Sequence, residues 1–198
     1  RSIAEHYLGY TIDITNEGLF SDPHYLGGIV FDENIIRVNA SVENHEGRYN
    51  FTIAHEIGHH MLHREQFLAS RNAETPNIMC RENKAKPLVE RQADQFASAL
   101  LMPREQVSRA VEKLHIPTGE ITAKALRVMA SQVIKSGGFT NVSNTAMANR
   151  LITLGFARGV DFQTGRSIDM LRSTDARGYS KIDRWLYKKI KTVFNFIR

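Results

Sequence analysis

Between Tyr10 and Ala40, apolar and polar positions follow one another in short runs. "YTIDIT" (Tyr10 to Thr15) alternates with a period of two, the pattern of a short strand with one buried face. "GGIVF" and "IIRVNA" flank Asp32, Glu33 and Asn34, a tight-turn composition, so Gly27 to Ala40 reads as a β-hairpin. From Asn50 the period becomes helical in "NFTIAHEIGHHMLH" (Asn50 to His63). Ser70 to Pro87 is polar, holds two prolines and has no apolar period, which predicts a surface loop. Helices follow: Leu88 to Met102, ended by Pro103; "PREQVSRAVEKLH", stopped by Pro117; "TAKALRVMASQVIKSGG", closed by Gly137 and Gly138; and "SNTAMANRLITLGF", capped by Ser143 and stopped at Gly155. Strands first and helices afterwards predict an α+β fold, with a small N-terminal sheet and a helical C-terminal region.

Composition changes this picture little. The 198 residues, 42% hydrophobic and 24% charged, are enough for one sizeable core or one core plus an appendage. No apolar run approaches the roughly 18 residues of a membrane span. The opening RSIAEHYLGY lacks the basic-then-apolar pattern of a signal peptide, although the chain begins at Arg1 rather than Met. A single cysteine, Cys80, excludes an internal disulfide framework and fits a reducing compartment, so a cytoplasmic protein is expected. Net charge is +5. Part of the surplus sits at the end, where Lys181, Arg184, Lys188, Lys189, Lys191 and Arg198 face a single acid, Asp183. This tail reads first as a solvated amphipathic helix and leaves open a weak contact with DNA.

The chemistry concentrates in four histidines, His55, His59, His60 and His63, with Glu56 among them. At about 100° per residue, with His55 at zero, His59 falls near 40°, His63 near 80° and Glu56 near 100°. Ile53, Ala54, Ile57, Gly58, Met61 and Leu62 occupy the other side. One face is expected to dock on a core and the imidazole face to look into a cleft. His55 to His59 is H-E-x-x-H, in which two histidines one turn apart can place nitrogens on one Zn²⁺. The intervening Glu56 can stand beside the ion and take a proton from the attacking water. His60 drifts off that face. His63 lies about 12 Å along the axis from His55, too far to share the ion, and reads as a hydrogen-bonded histidine at the helix end.

A catalytic zinc needs a third protein ligand and an open position. In "LVERQADQFASALL", Glu90 and Asp94 share a face one turn apart. Glu90 can supply a carboxylate oxygen, and Asp94 can accept the second N–H of His55, fixing its tautomer. Ala93 and Ala97 are small enough to let this helix approach another closely. One zinc ion per chain, held by His55, His59 and Glu90, is the expectation. A structural zinc would want a full set of Cys and His, which a single cysteine does not provide.

"FTIAHEIGHHMLH" (Phe51 to His63) and "ERQADQFASALLMP" (Glu90 to Pro103) resemble the ImmA/IrrE family of zinc metallopeptidases, and "VSNTAMANRLITLGF" is similar to the helical segment that closes many members. The resemblance covers roughly Gly27 to Phe156. It implies a zincin-like core with a small sheet beside the H-E-x-x-H helix. It maps His55, His59 and Glu90 to the zinc ligands and Glu56 to the catalytic base. It also implies a protein substrate, a helix-turn-helix transcriptional repressor whose cleavage relieves repression of stress or mobile-element genes. The stretch from Ser70 to Pro87 is longer than in many relatives, and Cys80 within it reads as an incidental thiol.

Three further expectations complete the reading. By analogy with zincins, Ile35, Ile36, Arg37 and Val38 are expected on an edge strand that pairs with an extended substrate. No motif singles out an oxyanion donor among His60, His63, His115, Tyr49 and the arginines. The segment from Thr122 to Phe156 reads as helix, turn, helix, so a DNA-binding or zinc-sensing regulator without proteolysis is the alternative. Its second helix offers Asn144, Thr145, Asn149 and Arg150 to a groove, while Met147, Leu151 and Leu154 need burial, which favours packing or docking over DNA reading. The expected organisation is a metallopeptidase core over 1–103, a helical part over 104–156 and a basic extension over 157–198.

Overall fold

The fold is described from a computed structural model over residues 1–70, 78–80, 88–116 and 118–158. The chain divides into two compact units, Arg1–Ala97 and Ser98–Arg198. The α+β class is as expected.

The first unit is built on a four-stranded mixed sheet of β1 (Thr11–Thr15), β2 (Gly27–Val30), β3 (Ile35–Asn39) and β4 (Ile78–Cys80), in the order β1-β3-β2-β4. The hairpin forms where the pattern places it: β2 and β3 are antiparallel, with Ile29 opposite Ile36 and Val30 opposite Ile35. Asn34 closes the turn at φ 53°, a left-handed conformation that asparagine tolerates better than most residues. Asn39 pins the segment leading into β2: its side-chain amide donates to the carbonyls of Phe20 (2.8 Å) and Tyr25 (2.9 Å), and its oxygen accepts from the Ser41 N–H.

Two expectations about strands are corrected. β3 is not an edge strand, because β1 runs parallel to it on one side and β2 antiparallel on the other. Both hydrogen-bonding edges of Ile35, Ile36, Arg37 and Val38 therefore lie against a neighbouring strand, and this backbone is not open to an extended peptide. Within the stretch expected to be loop, Ile78–Cys80 adds to the sheet as β4, antiparallel to β2. Three successive partly buried residues suffice for that pairing, too few to show a period. Positions 71–77 and 81–87 lie outside the described residues, so the rest of that expectation does too. Among the described residues, β1 and β4 are the edges of the sheet.

Helix α1 (Glu46–Ser70) lies against β2 and β3 and runs well beyond the histidine segment at both ends. Helix α2 (Leu88–Leu101) follows, as its apolar stripe predicts. A side chain at Gly58 of α1 would stand 3.1 Å from Ala93 Cα and 3.2 Å from Phe96 Cβ, so the helices approach closely at a glycine–alanine contact. The core of this unit includes Ile29, Phe31, Ile36, Val38, Ile53, Ile57 and Phe96, each at most 2% exposed.

In the second unit, α3 (Arg104–Leu114), α4 (Ala123–Gly137) and α5 (Asn144–Thr153) enclose a core of Met102, Val107, Leu126, Met129, Val133, Met147 and Leu151. As expected, Ser143 accepts from the Ala146 N–H and Gly138 ends α4 at φ 68°, and Thr122 adds a further cap by accepting from the Ala125 N–H. A two-residue parallel pair, β5 (Gly119–Glu120) with β6 (Ala157–Arg158), was not anticipated. Arg150 is buried at 3% exposure, its Nε donating to the Met102 carbonyl at 3.0 Å, and Asn144 donates to the Arg127 carbonyl. Two of the four polar side chains that a DNA-reading helix would need are thus committed inside this unit. Of the basic extension over 157–198, all but the first two residues lie outside the described residues.

Candidate metal centre

Helical spacing alone brings His55 and His59 together, since residues four apart share a face. Their Nε2 atoms are 2.9 Å apart and the rings meet edge to face. Glu90, in the first turn of α2, adds its carboxylate from the opposite side. Oε2 lies 3.1 Å from His55 Nε2 and Oε1 3.2 Å from His59 Nε2. All three side chains are buried. Asp94, one turn along α2, stands 2.9 Å from His55 Nδ1.

These distances suit a shared cation. Two ligands at 2.0–2.1 Å from a tetrahedral ion stand about 3.3 Å apart, close to the 2.9–3.2 Å separations among the three donors. Asp94 can only accept, so His55 Nδ1 carries the proton and His55 Nε2 presents a lone pair to the centre. Charge states agree. Burial holds His59 below the usual histidine value, and its histidine neighbours add to that, against the opposing pull of Glu90. Burial alone would raise the Glu90 carboxyl, but its contacts with His55 and His59 outweigh it and hold the group at about 2. A neutral imidazole and an ionised carboxylate are the forms that bind metal.

Glu56 is fully buried on α1, and its carboxylate lies against the start of β2. An added Cβ at Gly27 would come within 2.9 Å of Glu56 Oε1 and would also meet the Thr52 side chain, so the first glycine of the hairpin leaves room for this acid. The imidazole face does not stand open as expected: His55, Glu56, His59 and His63 are all at most 4% exposed.

His63 is not at a helix end, because α1 continues to Ser70. Its Nδ1 lies 3.0 Å from His59 Nδ1 and its Nε2 3.0 Å from Gln92 Oε1. With both ring nitrogens engaged, it is withdrawn from the oxyanion candidates. His60 turns away, its Nδ1 2.8 Å from the Tyr10 hydroxyl. Sequence reasoning passed over Gln92 and Gly27. The signal present was the unbroken four-residue ladder His55, His59, His63, since nothing in helical spacing groups Gln92 with Glu90 and Asp94.

An α+β unit that brings two imidazoles from one helix and a carboxylate from the next within reach of one ion has the donor set of metal-dependent hydrolases. Comparison with known families agrees: the family model of the IrrE N-terminal-like domain, a peptidase family, matches residues 13–134. The chain belongs to this family, the ImmA/IrrE metallopeptidases. No curated protein and no solved structure matches it. Among the described residues no helix is long and apolar enough to cross a membrane.

Proposed function

We propose that the protein is a zinc-dependent endopeptidase that hydrolyses a peptide bond in a partner protein, a helix-turn-helix transcriptional repressor, and so relieves repression. The observation that carries this reading is the convergence of His55 Nε2, His59 Nε2 and the Glu90 carboxylate from two helices, in a chain of a peptidase family. His55, His59 and Glu90 would hold one zinc ion, with Asp94 orienting His55. Two imidazoles and a carboxylate suit zinc well. Zinc, when bound, supplies a Lewis acid that polarises the scissile carbonyl and acidifies water toward a pKa of about 7.

The chain's own residues do the rest. Glu56, one residue after His55, takes the proton of the attacking water and later delivers it to the leaving amine. Its burial excludes competing solvent, and Gly27 sets the clearance in which its carboxylate sits. A zincin-like core over 1–103, a helical part over 104–156 that packs or docks a partner, and a basic extension over 157–198 complete the proposal, together with a cytoplasmic location.

The test is direct incubation of the purified chain with a helix-turn-helix repressor, with and without a chelator. Cleavage that chelation abolishes and zinc restores is expected. An intact repressor in the presence of zinc-loaded protein would reject this substrate. Cleavage indifferent to chelation would reject the metal.

A further inference from the structure

A neutral imidazole has one N–H and one lone pair. Two imidazoles that face one another Nδ1 to Nδ1, as His59 and His63 do at 3.0 Å, must therefore take opposite roles. Gln92 decides which. It turns its carbonyl oxygen to His63 Nε2 at 3.0 Å, and a carbonyl oxygen can only accept. The proton of His63 is then on Nε2 and the lone pair on Nδ1. His59 must donate from Nδ1, which leaves its own lone pair on Nε2. That atom is the one facing His55 Nε2 and Glu90 Oε1. The same logic, run from Asp94, leaves a lone pair on His55 Nε2. Two imidazole lone pairs and an ionised carboxylate thus converge on one point, an arrangement that repels itself until a cation enters it.

We propose that His63 and Gln92 are positioning residues for the metal centre: a two-member relay from α2 back to α1 that fixes His59 in the tautomer and ring plane with Nε2 toward the ion. This rests on the reading of His55, His59 and Glu90 as metal ligands. His63 is buried at 4% exposure and packs against the His59 ring with centroids 5.1 Å apart, so the ring is held as well as hydrogen-bonded. The two ligand histidines are oriented by different means. His55 leans on a carboxylate, which adds negative charge to its ring. His59 leans on a neutral pair, which orients the ring without adding charge. Partners of this kind typically contribute about 10–100-fold to metal affinity.

The experiment uses the full chain and measures zinc affinity by competition with a chromophoric chelator, with folding followed by far-UV circular dichroism. His63→Leu should fold and bind zinc about 10–100-fold more weakly. Gln92→Met should weaken binding several-fold, whereas Gln92→Glu, which keeps an acceptor facing His63, should bind at least as tightly as the unaltered chain. Imidazole ¹⁵N spectra of the metal-free protein should show His63 protonated at Nε2 alone, with the other tautomer emerging in Gln92→Met. A folded His63→Leu variant with undiminished affinity overturns the relay. If that variant does not fold, equal affinities for Gln92→Met and Gln92→Glu overturn it, as does a His63 ring protonated at Nδ1 in the unaltered protein. Failure of the unaltered chain to take up one zinc would instead remove the metal-site reading beneath it.

Discussion

Glu56 and Glu90 are both buried carboxylates, yet their surroundings differ, and with them the work proposed for each. Glu90 sits 3.1–3.2 Å from two imidazole Nε2 atoms and is held ionised. Glu56 instead lies against the backbone of Gly27, in space a methyl group would fill. Two substitutions should separate the roles. Glu56→Gln keeps the size of the side chain and removes its basicity, so zinc content and fold should persist while cleavage falls by at least about two to three orders of magnitude. Glu90→Ala removes a proposed ligand, so zinc content by elemental analysis should drop. Near-normal turnover in the first variant, or full zinc content in the second, would move those roles elsewhere. His55, His59 and Glu56 are legible in the sequence because a helix converts spacing into direction without help from other elements. The role of His63 is not legible in that way. It depends on which atom of Gln92 faces it, and that is decided by where α2 lies.

At the scale of elements, the contact that brings α2 to α1 is as much a part of the site as the ligands. Gly58 lies inside the H-E-x-x-H motif, and a Cβ there would meet the Ala93 backbone, Cα at 3.1 Å and O at 3.2 Å. Backbone in a packed helix cannot swing aside as a side chain can. Gly58→Val should therefore push the helices apart, and an overpacked contact of this kind costs about 1–3 kcal/mol, more than the gain in helix propensity offsets. Zinc affinity should fall with it, since Glu90 rides on α2. Denaturant unfolding and chelator competition read the two effects, and a valine variant as stable and as tight as the unaltered chain would show that this approach does not set the site. The hairpin was readable because its turn and both strands are contiguous. The placement of β3 inside the sheet was not, because β1 joins it in parallel from a distance. β4 was hidden for a related reason: three residues in a polar stretch become a strand only when β2 offers them a partner.

For the molecule as a whole, the candidate metal donors all belong to one compact unit, while the second unit carries its own apolar core. The helical pattern after Pro103 was legible down to its caps, but its purpose was not, since a polar residue on a helix reads alike whether it faces solvent or, like Arg150, is buried on a carbonyl. Folding of the first unit gathers two imidazoles and a carboxylate that are scattered in the unfolded chain, so an ion that binds only the gathered form must stabilise it. At free zinc a hundredfold above Kd the linkage amounts to about 2.7 kcal/mol. For a chain of this size that corresponds to a rise in melting temperature of roughly 5–11 °C over the chelated protein. The shift should vanish in Glu90→Ala and should survive in Glu56→Gln, which alters the proposed base and leaves the donors intact. A thermal melt of the unaltered chain that is indifferent to zinc would mean that the folded form holds no ion, however well its donors converge. A shift that persists without Glu90 would place the ion on other residues.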